Sequence, residues 1–274
     1  KLFKNLTKNL TKWFIVPVLI ISLVYFFTPY RAYAAVTFDA TSNSGAITDS
    51  VSPFEISWSH TTTGSDRLLV VGIGHITTET INSVTYGGTS MTLIATVNTA
   101  LGDQSSLFYL ANPASGANTV LATMATTFSA GVGMAVSLTG VNQTTPLDAS
   151  DTTVTENANS VTSAVITVAD NSWIVDVVAM VGTQTLTVDS GQTQRQNVIS
   201  APGTDFGMST KGAITPAGST NVIWNDGGDI GTPDWAHVAA SFAPAVAGGG
   251  GSTNAQPTLS IQGQTIINSQ VIIK

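Results

Sequence analysis

The spacing of strand-like segments is the feature that most limits what this chain can fold into. From Val36 to Pro244, short runs of β-branched and aromatic residues recur between turn residues, and no window keeps a helical period for more than about ten residues. About a dozen such runs in roughly 210 residues are typical of two packed sheets. The sequence therefore predicts an all-β fold, a two-sheet antiparallel β-sandwich of the jelly-roll or lectin-like kind.

Three segments make this prediction specific. Phe54–His60 alternates, with its aromatic, isoleucine and histidine side chains on one face. Arg67–Ile76 is apolar on both faces, which predicts a central strand that is covered on both sides. Gly87 and Gly88 separate two further strand-like runs, and because glycine readily adopts positive φ, they predict a tight hairpin turn.

The first 34 residues have the composition of an export signal. Four lysines lie within residues 1–12, Trp13–Phe27 is an apolar run, and residues 32–34 read Ala-Tyr-Ala, a small-x-small cleavage motif. Pro17 and the shortness of the run argue against the alternative, an uncleaved membrane anchor. We predict an N-terminal signal helix over 1–34, a secreted or cell-surface location, and membrane contact only through this segment before cleavage.

Charge and cysteine content exclude several classes of partner and chemistry. Removing residues 1–34 takes away five of the nine basic residues and none of the 16 acidic ones, so the remainder carries a net charge of −12. Nucleic acid and anionic membrane surfaces bind clustered Lys and Arg, and we therefore predict neither as a partner. The chain has no Cys, which rules out disulfides, thiolate chemistry and cysteine zinc sites.

The composition changes after Pro244. Residues 35–244 are predicted to form the sandwich domain, and residues 245–257 are a Gly/Ser-rich linker with little to bury. Residues 258–274 alternate enough for a short β tail but are too few to fold alone, which suggests the start of a further module. No long repeat is visible within the sequence.

The order of several segments resembles a recurrent β-sandwich module of large bacterial secreted and cell-surface proteins. The segments are RLLVVGIG, VTYGGTSMT, FYLANPASGANTV, SLTGVNQTTPLD and WAHVAASFAP. The resemblance covers roughly residues 54–244 and implies a fold and a location, with no enzymatic mechanism attached. By analogy of architecture, the module is also similar to concanavalin-like lectin and glucanase sandwiches.

Catalytic signatures are sparse. Glycoside hydrolysis needs two carboxylates about 5 to 10 Å apart, whereas Glu55, Glu79 and Glu156 are distant in sequence and no Glu-x-Asp-x-Glu strand occurs. No Gly-x-Ser-x-Gly elbow is present, and His60 and His75 lie on apolar strands, which favours structural roles. We predict a protein that is not an enzyme and has no catalytic residues; the alternative is a carbohydrate-active hydrolase.

Aromatic residues near a polar loop give the most site-like grouping. Sugar rings stack on Trp and Tyr while polar side chains bind their hydroxyls, so Trp224, Trp235 and Tyr86 are candidate platforms. Asn225 and His237 are candidate polar partners, and His237 lies on the less apolar side of its strand, where exposure is expected. The alternative is that the two tryptophans are lids on the core.

The loop between the two tryptophans is also a candidate Ca²⁺ site. Asp226, Asp229 and Asp234 supply hard oxygen ligands on a glycine-flexible backbone, although Asp and Gly are also ordinary turn formers. No other cofactor is predicted. The sequence as a whole predicts a noncatalytic secreted or cell-surface module that binds a glycan or cell-surface polymer, or that serves as a spacer in a larger exported protein.

Overall fold

A computed structural model of the protein describes residues 33–48, 54–76, 79–182, 185–200, 203–228 and 231–246, and the backbone of 259–261 and 264–266. Within these ranges the fold is all-β with several antiparallel sheets, consistent with a β-sandwich. None of the described segments is a helix of the length and apolarity needed to cross a bilayer. The predicted signal helix, and the linker beyond Val246, lie outside the described residues.

The N-terminal half, which we define as Thr37–Thr139, contains two sheets. Its larger sheet has the order β1-β10-β4-β8-β7, with β2 also paired to β10, and its outer sheet has the order β3-β9-β5-β6. The strands are β1 (Thr37–Asn43), β2 (Ile47–Thr48), β3 (Glu55–Thr62), β4 (Leu68–Ile76), β5 (Ile81–Tyr86), β6 (Thr89–Ser90), β7 (Thr92–Asn98), β8 (Asp103–Ala111), β9 (Gly116–Met124) and β10 (Ala130–Thr139).

The C-terminal half, defined as Leu147–Phe242, repeats this topology. Its larger sheet has the order β11-β18-β13-β16-β15, and its outer sheet has the order β12-β17-β14. The strands are β11 (Leu147–Thr155), β12 (Ser160–Ile166), β13 (Ser172–Val181), β14 (Thr187–Val188), β15 (Gln192–Ser200), β16 (Thr204–Ile214), β17 (Ser219–Asn225) and β18 (Trp235–Phe242). A separate hairpin pairs β19 (Leu259–Ile261) with β20 (Gln264–Ile266).

A shared β-bulge aligns the two halves residue by residue. The pairing of β1 with β10 shifts register at Asp39, and the pairing of β11 with β18 shifts at Asp148. Asp39 accepts a hydrogen bond from the Ser137 hydroxyl (2.7 Å), and Asp148 accepts one from the Ser241 hydroxyl (3.0 Å). Matching strands and matching side-chain bonds indicate an internal repeat that was not visible in the sequence.

The larger sheets of the two halves pack face to face and enclose the largest apolar cluster. Val70 and Met134 of the N-terminal half share this cluster with Val177 and Phe242 of the C-terminal half. Separate clusters lie between the larger and outer sheets within each half. The four sheets therefore form four layers, and the central strands read as continuous apolar runs because both of their faces are buried.

Counterpart residues meet across the central interface. The register pairs Gly72 with Val177 as counterparts, and a Cβ on Gly72 would lie 2.8 Å from a methyl carbon of Val177. Asp103 and Thr204 are also counterparts, and the Thr204 hydroxyl donates a hydrogen bond to the Asp103 carboxylate. Contacts between a residue and its own counterpart mark a pseudo-twofold relation, as in an isologous dimer joined into one chain.

The local predictions from sequence agree with this fold. In β3 every second residue is buried, β4 is central in its sheet, and the turn between β5 and β6 consists of Gly87 and Gly88, both with positive φ. The global prediction differs, because the 35–244 region contains two sheet pairs instead of one. A strand covered on both sides was predicted, but the covering layer is the second half of the same chain.

The chain enters and leaves the described fold at neighbouring points. Tyr33 forms an antiparallel bridge with Val246, and the Ala34 amide donates a hydrogen bond to the Ala245 carbonyl at 2.7 Å. The Ala245 amide in turn donates to the Gly140 carbonyl at 2.8 Å, next to the end of β10. The last two residues of the predicted leader therefore pair with the segment that follows β18.

Candidate functional site

The three predicted aromatic platforms are buried. Trp224 and Trp235 are 0% exposed, and Tyr86 is almost fully buried. The Trp235 indole donates to the Ala158 carbonyl at 2.6 Å, and the Tyr86 hydroxyl donates to the Gly116 carbonyl at 2.9 Å. These rings pack as core residues, so the exposed stacking face that a glycan platform needs is not formed by them.

His237 is buried in a hydrogen-bonded network inside the C-terminal half, which corrects the expectation that it is exposed. Its Nε2 lies 3.1 Å from an Asp176 carboxylate oxygen, and its Nδ1 lies 3.0 Å from the Ser163 hydroxyl. The same Asp176 accepts hydrogen bonds from the Trp224 indole (3.0 Å) and from the Ser209 amide (2.7 Å). The polar side of β18 is thus paired internally because β13 and β12 supply its partners.

This network contains the residue types of a serine hydrolase but lacks access to a substrate. Ser163, His237 and Asp176 are all fully buried. Acyl transfer needs a nucleophile that reaches the substrate and donors that stabilise the oxyanion. A sealed Ser–His–Asp chain instead satisfies buried polar groups, which stabilises the fold by avoiding unpaired donors and acceptors.

Two of the predicted Ca²⁺ ligands each accept a backbone hydrogen bond, and the second carboxylate oxygen of Asp226 is buried without a partner. One Asp226 carboxylate oxygen accepts the Gly228 amide at 3.0 Å, and one of Asp234 accepts the Asn157 amide at 2.9 Å. Asp229 lies outside the described residues, and Asn225 is half-buried at the end of β17. Among residues with described side chains, no three His, Cys, Asp or Glu groups lie together as metal ligands. The Ca²⁺ site stays a prediction.

Asp205 is the least satisfied carboxyl in the described core. Both of its carboxyl oxygens are buried and have no hydrogen-bond partner, and burial raises its pKa to about 7. Its cross-strand neighbour on β13 is Met180, whose side chain has no hydrogen-bond donor. Burial also raises the pKa of Asp103, against a smaller opposing effect of the hydrogen bond from Thr204.

The two histidines of the N-terminal half are buried, as the sequence predicts. His75 Nε2 lies 2.8 Å from the Gln104 side-chain oxygen, and the two residues are cross-strand neighbours on β4 and β8. His60 Nδ1 lies 2.8 Å from the Ser42 hydroxyl, while its Nε2 is buried without a partner. Burial lowers the pKa of His60 to about 4.

An open groove of about 220 Å³ lies between β5 and β7 of the N-terminal half. We call its opening to solvent the mouth. Ile81, Leu93 and Phe108 form its apolar walls. The polar residues that line it are Glu79, Thr80, Thr96 and Gln104. The groove thus combines a hydrophobic surface with a few polar groups, the composition that is typical of small-molecule sites.

Sequence reasoning did not find this groove because its walls come from three separate strands. Glu79 was considered only as a catalytic carboxylate, and the remaining lining residues carry no motif. The one available signal was Gln104, a long polar side chain on strand β8, whose following residues, Ser105 to Phe108, are all buried. An amide at a core position needs a partner or a ligand.

Compared with protein-family models, with curated proteins and with solved structures, the chain matches none of them.

Proposed function

We propose that the protein is a noncatalytic module of a secreted or cell-surface protein and that it binds a glycan or cell-surface polymer. The observation that carries this proposal is the groove, which offers apolar walls beside polar side chains and reaches solvent. The leader-like residues 1–34 support export. We further infer that each half is a sandwich of the jelly-roll type, given its two sheets and strand order.

Binding is favoured over hydrolysis by the carboxylates at the groove. Glycoside hydrolases place two carboxylates across the scissile bond, about 5 to 10 Å apart. Among its lining residues the groove has one carboxylate, Glu79, and the Ser163–His237–Asp176 chain is sealed from solvent. These features support a site that holds a ligand without cleaving it.

The two ends of the described folded body lie side by side. This arrangement favours a pendant binding module, which branches off the polypeptide, over an in-line spacer, which extends it. In the cleaved chain Ala35 and Ala245 both lie against Gly140, so the two ends of the folded body stay adjacent and the body adds little length to a polypeptide that contains it. A spacer gains length when its ends lie far apart. In a larger polypeptide this body would instead project sideways, with its groove presented to solvent.

Retention on immobilised polysaccharides tests the proposed function. The full chain is passed over a panel of plant, fungal and bacterial polysaccharides, with and without Ca²⁺, and the eluted polymer is assayed for newly formed reducing ends. We expect specific retention with no reducing ends. Reducing ends would support the hydrolase alternative, and no retention on any polymer would contradict glycan binding.

The pendant arrangement has its own test. The chain has no native Cys, so dyes attached at Ala35→Cys and Val246→Cys label only these two positions. We expect near-complete energy transfer in the native protein, which should fall on unfolding in urea. Low transfer in the native state would contradict the pendant arrangement and favour an in-line spacer.

A further inference from the structure

We propose that the groove between β5 and β7 binds one neutral sugar ring, with Gln104 as its central hydrogen-bond donor. This inference rests on the proposed glycan-binding function and assigns its site. The groove has a volume of about 220 Å³. That space suits a single small ring better than a longer segment of polymer.

Gln104 is a buried amide that is held in place on one side and unpaired on the other. Its side chain is 6% exposed, and its oxygen lies 2.8 Å from His75 Nε2. The amide nitrogen makes no hydrogen bond to any residue that the structure describes, although Gln104 lines the groove. The nitrogen keeps some contact with solvent, so an acceptor on a bound ligand would take the place of water as its partner.

The polar groups of the groove favour a ligand that both donates and accepts hydrogen bonds. The Gln104 nitrogen donates, whereas the Glu79 carboxylate accepts when ionised. A hydroxyl group does both. An ammonium group would suit Glu79 but could not accept from Gln104, and an anion would meet Glu79 without any Lys or Arg among the lining residues.

The apolar walls favour a ring over a linear polyol. Phe108 lies almost fully buried in the groove wall, and Leu93 is 51% exposed at its mouth. The C–H face of a pyranose removes such surface from water while its hydroxyls stay directed to the rim. Thr80 and Thr96 add hydroxyls to the lining.

At two matching positions of the C-terminal half, the described residues are fully buried. There the counterpart of Gln104 is Asp205, which is fully buried. Leu186, just before β14, is also buried and lies against the position of Gly207 beside Trp224. Among the described residues, the position of Gln104 is thus more deeply buried in the C-terminal half than in the N-terminal half.

His75 is a positioning residue in this proposal. It lies directly across from Gln104 in the β4–β8 pair, and when its Nε2 carries the proton it donates to the amide oxygen and leaves the amide nitrogen for the groove. The opposite amide orientation would place an acceptor there instead. His75 thus acts through Gln104 and has no direct contact with the ligand.

Titration of the full chain with methyl glycosides tests the site. The probes are the methyl glycosides of glucose, galactose, mannose and N-acetylglucosamine, with n-butylamine as the cationic alternative, and calorimetry and amide NMR shifts report binding. Gln104→Leu removes the donor at similar volume. The matched control is Gln194→Leu, on β15 at the position equivalent to Leu93.

We expect at least one glycoside to shift amides of β5, β7 and β8, with affinity at least tenfold lower in Gln104→Leu and unchanged in Gln194→Leu. Leu93→Arg, an exposed substitution that crowds the mouth, should abolish binding even if Gln104→Leu fails to fold. In His75→Leu, binding should weaken while a thermal melt stays cooperative.

Three outcomes would overturn the site. Binding of n-butylamine but no glycoside would replace the sugar with a cation. Polysaccharide retention that is unchanged in Gln104→Leu and Leu93→Arg would move the site elsewhere and leave glycan binding intact. Absence of both glycoside binding and polysaccharide retention would overturn the proposed function together with its site.

Discussion

The interiors of the two halves solve the same packing problem with different chemistry. In the N-terminal half, Trp58 on β3 fills the space over Gly133 on β10, and a Cβ at 133 would collide with the indole ring. Val71 and Ala122 complete an apolar cluster there. Glycine is needed at this position because the large ring of Trp58 lies against the backbone.

In the C-terminal half the same positions carry a polar network. Ser163 replaces the large ring, which makes room for His237, and the histidine is paired with Asp176. The indole of this half is instead supplied by Trp224 on the neighbouring strand. The counterparts are Trp58 and Ser163, Gly133 and His237, Val71 and Asp176, and Ala122 and Trp224.

The comparison teaches that the repeat conserves volume and satisfied bonds, not residue types. Moving one indole between adjacent strands allows a histidine, a serine and an aspartate to enter a core with the same strand order and register. Each half is therefore vulnerable in a different way: the N-terminal half to changes of volume, and the C-terminal half to loss of a hydrogen-bond partner.

Removing Asp176 is expected to have the largest effect. Asp176→Ala leaves His237, the Trp224 indole and the Ser209 amide without their acceptor, which should lower the free energy of unfolding by about 3–5 kcal/mol. Urea denaturation measures the change. Asp189→Ala, an exposed carboxylate, is the control and should change stability by less than about 0.5 kcal/mol. A small effect of Asp176→Ala would contradict the network's structural role.

Acid should weaken the N-terminal half through His60. Its pKa is about 4 in the folded state and about 6.5 unfolded, so the unfolded state takes up the proton first as pH falls. Stability is therefore complete above pH 6.5 and is lost between pH 6.5 and 4, on the order of 3 kcal/mol. His60→Val introduces the residue type of its counterpart, Val165, and should flatten this part of the pH profile. An unchanged slope would mean that other groups cause it.

Gly133 tests the volume constraint. Gly133→Ala should destabilise the protein by about 2 kcal/mol because the added methyl group meets Trp58. In a Trp58→Leu background the same substitution should be close to neutral, since the colliding ring atoms are gone. Urea denaturation of the four proteins in this cycle gives the coupling energy. Equal effects in both backgrounds would show that the collision is not the cause.

Local structure was more predictable than the arrangement of layers. Alternation marked the buried face of β3, and two-sided apolarity marked β4 as central, because both depend on neighbours a few residues apart. The repeat was hidden because counterparts such as Gly133 and His237 share position but not chemistry. Asp39 and Asp148, each followed by Ala and each bonded to a serine of the last strand, are the identities that could have revealed it.

The candidate site depended on information that sequence does not carry. The stretch from Trp224 to Trp235 contains the residue types of a glycan site, but Trp224 lies on the buried side of β17 and every residue of β18 is buried. The groove instead depends on how far β5 and β7 separate at one mouth of the N-terminal half. That separation is set by packing between sheets, which no local pattern reports.

Alkaline pH should weaken the C-terminal half through Asp205, whereas acid weakens the N-terminal half through His60. The net effect expected for the Asp205 variant is the smallest of the four predictions. The pKa of Asp205 is raised by burial from 3.8 to about 7, so the folded state keeps a proton that the unfolded state has lost. Stability therefore falls as pH rises from about 4 to 7 and stays low above it. Asp205→Asn removes the charge, but its amide would also be buried without a partner, so we expect a net gain of only about 1 kcal/mol at pH 8, less than the pKa shift alone implies.

The sign of the Asp205→Asn effect distinguishes this account from simple loss of a contact. Urea denaturation at pH 5 and pH 8 should show the gain only at pH 8, because the wild-type carboxyl is already neutral at pH 5. Asp189→Asn, an exposed carboxylate, should show no such difference. Met180→His in the wild-type background should also raise stability at pH 8, since it supplies the cross-strand partner that His75 gives Gln104. Destabilisation by Asp205→Asn at pH 8 would mean that Asp205 has a partner in solution and that the halves differ less than their cores indicate.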